Sequence, residues 1–186
     1  MRSAIILLVL CTFTLPRQTI GAQGNALLTT LRAEDLAVRT GGTAPRDDND
    51  RMKLVIEELG AGKVRTPEDC FSAALILDHS PLKLENGRVV AINPANYLLA
   101  HFLARRSWDG GYAPARALVA MTIDRYLSFT TGVQRYGTSH VLNVASGELE
   151  LVPVDRAVSD AERALYGVPP LESLLKQYRE GVRAKL

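Results

Sequence analysis

Two cysteines and three histidines are all that this 186-residue chain holds of the side chains that most readily bind transition metals. Neither a Cys-x-x-Cys pair nor a His-Glu-x-x-His spacing occurs, so no metal site is expected. A Gly-x-Ser-x-Gly elbow, a phosphate-cradling glycine loop and a dinucleotide fingerprint are also missing, so no cofactor is expected. Long apolar runs are scarce. The one at residues 4–15 spans twelve residues, short of the roughly 20 that cross a hydrocarbon core.

That run has one positive charge before it, at Arg2, and small residues after it, Thr19-Ile20-Gly21-Ala22. This is the architecture of an export signal, with cleavage expected near Ala22. Secretion or a periplasmic location follows, without stable membrane insertion after cleavage. Leu10 stands before Cys11 where a lipoprotein signal needs a small residue, so lipidation is not expected.

An excess of one charge sign is absent too. Two of the 22 basic residues, Arg2 and Arg17, precede the cleavage point, and the 20 that remain match 20 acids. A neutral domain lacks the basic footprint that phosphate backbones demand, which excludes nucleic acid as the expected partner. Cys70 is then alone, and no internal disulfide can form. The remaining 164 of 186 residues suffice for one domain to bury its own core.

The rest of the chain carries mostly helical signals. Residues 25–38 are weakly amphipathic and precede the break Thr40-Gly41-Gly42-Thr43-Ala44-Pro45, so residues 23–46 read as a loosely attached helix and linker. Residues 47–186 read as a single helical domain. Within it, Met52, Val55, Ile56 and Leu59 mark one buried helical face. Thr66-Pro67-Glu68-Asp69 combines a capping hydroxyl, an N-terminal proline and two acids, a strong helix start. In that helix Cys70 shares a face with Ala73, Ala74 and Leu77, as a small core hydrophobe would.

Asn86-Gly87 between Leu82–Glu85 and Arg88–Ala91 predicts an exposed hairpin, and Ser146-Gly147 joins a second one. Two central helices lie between them, residues 94–108 and 113–130. In the second, Ala113, Ala117 and Ala120 form a stripe that Asp124 continues. Ser159 with Glu162 reads as a capping box. The last helix is expected to bury Leu171, Leu174, Leu175, Tyr178 and Val182. The fold class is therefore mainly α, a compact bundle-like domain with one or two small β-hairpins.

Polar residues that interrupt apolar stretches are the candidates for chemistry, because burying them unpaired costs free energy. They are Asp78 and His79 at a helix end, His101 inside a helix, and Asp124 and Arg125 inside another. Gln134-Arg135-Tyr136-Gly137-Thr138 is the densest run of side-chain donors and acceptors, at a helix-to-strand junction where loops often carry function.

Two functions compete. The first needs no special residue: a non-catalytic exported domain that binds a protein or small-molecule partner, with His79, Gln134 and Thr138 as binding candidates. The second is a hydrolase-like enzyme in which His101 is general base and Asp124 orients it. Arg125, Tyr136 or Gln134 would then stabilise developing charge. A dispersed metal site of His79, His101 and Asp124 is the weakest reading.

Several stretches, taken in order, resemble a family of uncharacterised bacterial proteins. That family has a Gln-x-Phe/Tyr-Gly-Thr-Gln segment after an Asp-Arg-Tyr-Leu helix. Here the stretches read Thr66–Asp69, Ala73–Leu77 before Asp78-His79, Leu98–His101, Asp124–Leu127, Gln134–Thr138 and Val168–Leu171. The resemblance covers residues 47–178 and implies no established activity. Asp78 stands where the family has Gln, Ser139 replaces its last Gln, and Leu82–Ala91 looks inserted.

Overall fold

The computed structural model describes residues 23–183, with side chains through residue 180. The expected export signal at residues 1–22, Cys11 included, and the side chain of Val182 lie outside the described residues. The described chain is mainly α. Its elements in order are α1 (Ala26–Arg39), α2 (Asp48–Gly60), α3 (Pro67–Asp78), β1 (Leu82–Glu85), β2 (Arg88–Ala91), α4 (Ala95–Asp109), α5 (Ala115–Thr130), β3 (His140–Asn143), β4 (Glu148–Leu151), α6 (Asp160–Leu165) and α7 (Leu171–Arg183). Strands β1–β2 and β3–β4 form separate antiparallel hairpins, with Glu85 opposite Arg88 and Asn143 opposite Glu148. Asn86 and Gly87 both have positive φ, as the two-residue turn of the first hairpin requires.

Helix α4 lies between α3 and α5, and α1 and α2 flank α3. Small residues bring the central three helices together. Cys70, Ala73 and Ala74 of α3 and Ala100 and Ala104 of α4 are all sealed from solvent, with Leu77 and Val119 packed against them. Cys70 is thus a core residue, and burial pushes its thiol above the ordinary value, away from reactivity.

Thr66 begins α3 as the sequence predicts. Its hydroxyl accepts from Asp69 N at 3.0 Å, and the Asp69 carboxylate accepts from Thr66 N at 2.9 Å. Asp69 also accepts from Asn25 N at 2.7 Å, which fastens the start of α1 to the start of α3.

Several expectations are corrected. The helix in residues 23–46 is no loose appendage: Leu28 and Leu31 of α1 are sealed in the core, and α1 packs along α3. Weak amphipathicity misled because α1 turns only a narrow stripe inward, Leu28, Leu31 and Asp35, and Asp35 within it is polar. In α2, Val55 is buried, but Ile56 is 43% exposed and Arg51 is buried in its stead. Helix α5 starts at Ala115 rather than Ala113, and along it Ala120 and Asp124 are buried, whereas Ala117, like Ala113 before the helix, is exposed. The box at Ser159 is one-sided. Ser159 caps Glu162 N at 3.1 Å, but the Glu162 carboxylate turns to Arg135 and Tyr136. In α7, Leu171, Leu174, Leu175 and Tyr178 are only half-buried. No helix among the described residues is long and apolar enough to cross a membrane.

Candidate functional site

The polar residues singled out in the sequence fall into two groups, with His101 in neither. The first group surrounds Asp124, whose side chain comes off the buried face of α5. Its Oδ1 accepts from Arg135 N and Tyr136 N, each at 2.8 Å. Its Oδ2 accepts from Gly137 N at 2.9 Å and from both Thr138 N and Thr138 Oγ1 at 2.8 Å. Four successive backbone N–H groups can converge on one carboxylate only if the chain curls, and Gly137 supplies the curl with φ of +99°.

Gln134 straps the same loop. Its amide nitrogen donates to Ser139 O at 2.9 Å and Val152 O at 2.8 Å, and its oxygen accepts from Ser139 N at 2.7 Å. Arg163, fully buried in α6, closes the far side by donating to Tyr136 O and to Asp155 O. The Tyr136 hydroxyl donates to Glu162 at 3.1 Å, and burial pushes its pKa up to about 12. Asp124, Gln134, Tyr136 and Thr138 therefore form a closed structural knot in which their own side-chain oxygens and nitrogens are all hydrogen-bonded, although the Arg163 Nε that faces it is not.

His101 sits on α4, where Nδ1 donates to Val119 O of α5 at 3.0 Å. Burial lowers its pKa, so the neutral ring is favoured. It makes no hydrogen bond to Asp124 among the described residues. The arrangement needed for Asp124 to orient His101 is therefore absent there.

The second group gathers where α3 ends. Asp78 and His79 stand at its C-terminus, Arg125 and Phe129 reach in from α5, Tyr97 from α4, Arg39 from α1 and Asp48 from α2. Together they line a cleft of about 360 Å³, closed on another side by Ser139 and His140. Arg125 donates through Nη1 to Asp78 Oδ2 at 3.0 Å and to the Asp78 carbonyl, and its guanidinium lies 5.8 Å from the Tyr97 ring centre. Asp78 is 1% exposed, and its Oδ1 has no hydrogen-bond partner. Burial pushes the Asp78 carboxyl above its usual range, and Arg125 offsets part of that. Burial likewise pushes Tyr97 up to about 12; its hydroxyl donates to Ser80 O at 3.2 Å.

His79 donates through Nδ1 to Asp35 Oδ2 at 2.8 Å. Arg39 bridges Asp35 and Asp48, at 3.5 and 2.7 Å, and Arg51 pairs with Asp48 from the buried side. Charges of both signs thus face each other across the cleft. Sequence reading named Asp78, His79 and Arg125 but missed Asp35, Arg39, Asp48 and Tyr97 as parts of the cleft. A signal for Asp35 existed, because it falls at i+7 from Leu28 and i+4 from Leu31, a core position occupied by an acid.

Among the described residues no group of three or more His, Cys, Asp or Glu side chains is placed to hold a metal ion. Comparison of the chain with known protein families, curated proteins and solved structures gives no match.

Proposed function

We propose that the protein is an exported binding domain whose ligand is a small polar molecule seated in the cleft at the end of α3. One observation carries this reading: the Asp78 carboxylate is buried with Oδ1 unpaired, in the wall of a cleft that also holds the free donors of Arg125. An unmet buried acceptor costs on the order of 1–3 kcal/mol, and a donor brought by a ligand can recover part of it. The alternative built on His101 and Asp124 lacks comparable support, since Asp124 has no capacity left for either a substrate or an imidazole. The near-neutral charge of residues 23–186 fits a small ligand better than a nucleic acid.

A thermal-shift screen with small carboxylates, amino acids and sugars tests the reading. A ligand present at 100 times its Kd adds about 2.7 kcal/mol, a rise of several degrees in Tm for a domain of this size. At least one compound is expected to raise Tm in the wild type and not in Arg125→Leu. A flat response across the panel would sink the proposal.

A further inference from the structure

Beyond binding, we infer that the cleft carries a general base, with His79 activating a water molecule against a small carboxylic ester. This inference rests on the cleft being the ligand site. His79 differs from the other two histidines in what stands behind it. Asp35, its side chain only 2% exposed, holds Nδ1 at 2.8 Å, which assigns the ring proton to Nδ1 and leaves Nε2 as a lone-pair base. Nε2 has no partner among the described residues, and the ring lines the cleft. His101 instead leans on a helix carbonyl, and His140 makes no side-chain hydrogen bond among the described residues.

A carboxylate behind the imidazole stabilises the imidazolium that forms when water is deprotonated; a carbonyl does so less. Asp35 is therefore a positioning residue, and the core attachment of α1 is what delivers it to the end of α3.

The charged and titratable groups around His79 are Asp35 and Arg39 from α1, Asp48 from α2, Asp78 beside it, Tyr97 from α4, Arg125 from α5 and His140 from β3. Arg125 uses Nη1 for Asp78 and keeps Nε and Nη2 without partners among the described residues. That free edge suits one developing oxyanion. A doubly charged phosphoryl group would meet Asp48 and Asp78 in the same wall, which favours an ester.

In the reaction, the water oxygen bonds to the carbonyl carbon as its proton passes to His79 Nε2. The carbonyl π electrons move onto oxygen, whose charge Arg125 offsets. Re-forming the C=O bond expels the alkoxide, which takes the proton from His79, giving acid and alcohol with the base restored.

Hydrolysis of 4-nitrophenyl acetate by the purified protein, measured against an equimolar imidazole blank from pH 5 to 9, tests this. Saturable turnover above the blank is expected, rising with pH through one ionisation. His79→Gln should lower kcat by about 100-fold or more, the usual share of a general base. Asp35→Asn should lower kcat and displace the pH profile, which a merely structural loss would not do, and His101→Gln should leave both unchanged. If Asp35→Asn does not fold, the partly exposed His79→Gln still decides. Turnover no faster than the blank, or His79→Gln as fast as wild type, overturns the general base. The binding reading stands or falls separately, on the ligand-induced rise in Tm.

Discussion

Asp124 and Asp78 are both aspartates on central helices, and both are sealed from solvent at 0% and 1% exposure. Asp124 accepts five hydrogen bonds from four consecutive residues, while Asp78 accepts from Arg125 alone and leaves an oxygen idle. Burial is the same; what differs is unspent capacity. A saturated carboxylate holds a loop in shape and has nothing left for a ligand. An unsaturated one at the edge of a cleft leaves an oxygen without a hydrogen bond, at a cost to stability. The contrast also shows why the density of polar residues in a sequence segment is a poor guide to a site. The Gln134–Thr138 loop is dense because it must satisfy itself.

The same substitution at the two aspartates gives the largest test of this contrast. Asp124→Asn replaces an acceptor oxygen with an NH₂ group facing backbone donors, and should destabilise by about 3–5 kcal/mol in urea denaturation. Asp78→Asn should change stability at neutral pH by no more than about 1 kcal/mol, because Arg125 remains partly solvated and an idle oxygen is all that is altered on the other side. Comparable losses at the two positions would break the comparison.

An intermediate effect is expected for His101→Ala. Its acceptor, Val119 O, lies within α5 and keeps its helical partner, so the loss should be about 1–2 kcal/mol rather than that of a stranded group. A loss as large as that of Asp124→Asn would show that His101 belongs to a wider network.

The smallest effect is in pH dependence. Asp78 has a raised folded-state pKa, so between the ordinary carboxylate value of about 3.9 and that raised value the folded state binds more protons than the unfolded one. Its unfavourable contribution is present in full above the raised value and fades as pH falls through that window. Wild type should therefore gain stability relative to Asp78→Asn on acidification through that window, which narrows any advantage of the variant or widens any deficit. A wild-type stability relative to Asp78→Asn that stays constant or falls on acidification would mean that the carboxyl is not raised.

Much of the fold is legible because it rests on local signals. The Thr66–Asp69 cap, the Asn86-Gly87 turn and the apolar spacing of α3 each act within a few residues, and each forms as read. The errors arise where a helix face is set by what lies across from it. Ile56 and Ala117 are apolar yet exposed, while Asp35 is buried against His79 from the end of α3, and Arg51 is buried with Asp48 of its own helix and the Arg46 carbonyl just before it. Of the cleft, Asp78, His79 and Arg125 could be named from sequence as polar interruptions. Asp35 and Arg39 could not be joined to them, since α1 read as a loose appendage.

By itself the sequence determined a mainly helical chain with one or two small hairpins and a cysteine on the core-facing stripe of a helix. Those properties follow from composition and from spacing along one element. Only the tertiary structure decided which buried polar groups are satisfied and which are not. A hydrogen bond between residues 35 and 79, or between 78 and 125, depends on the packing of α1 and α5 against α3, and no local pattern encodes that packing.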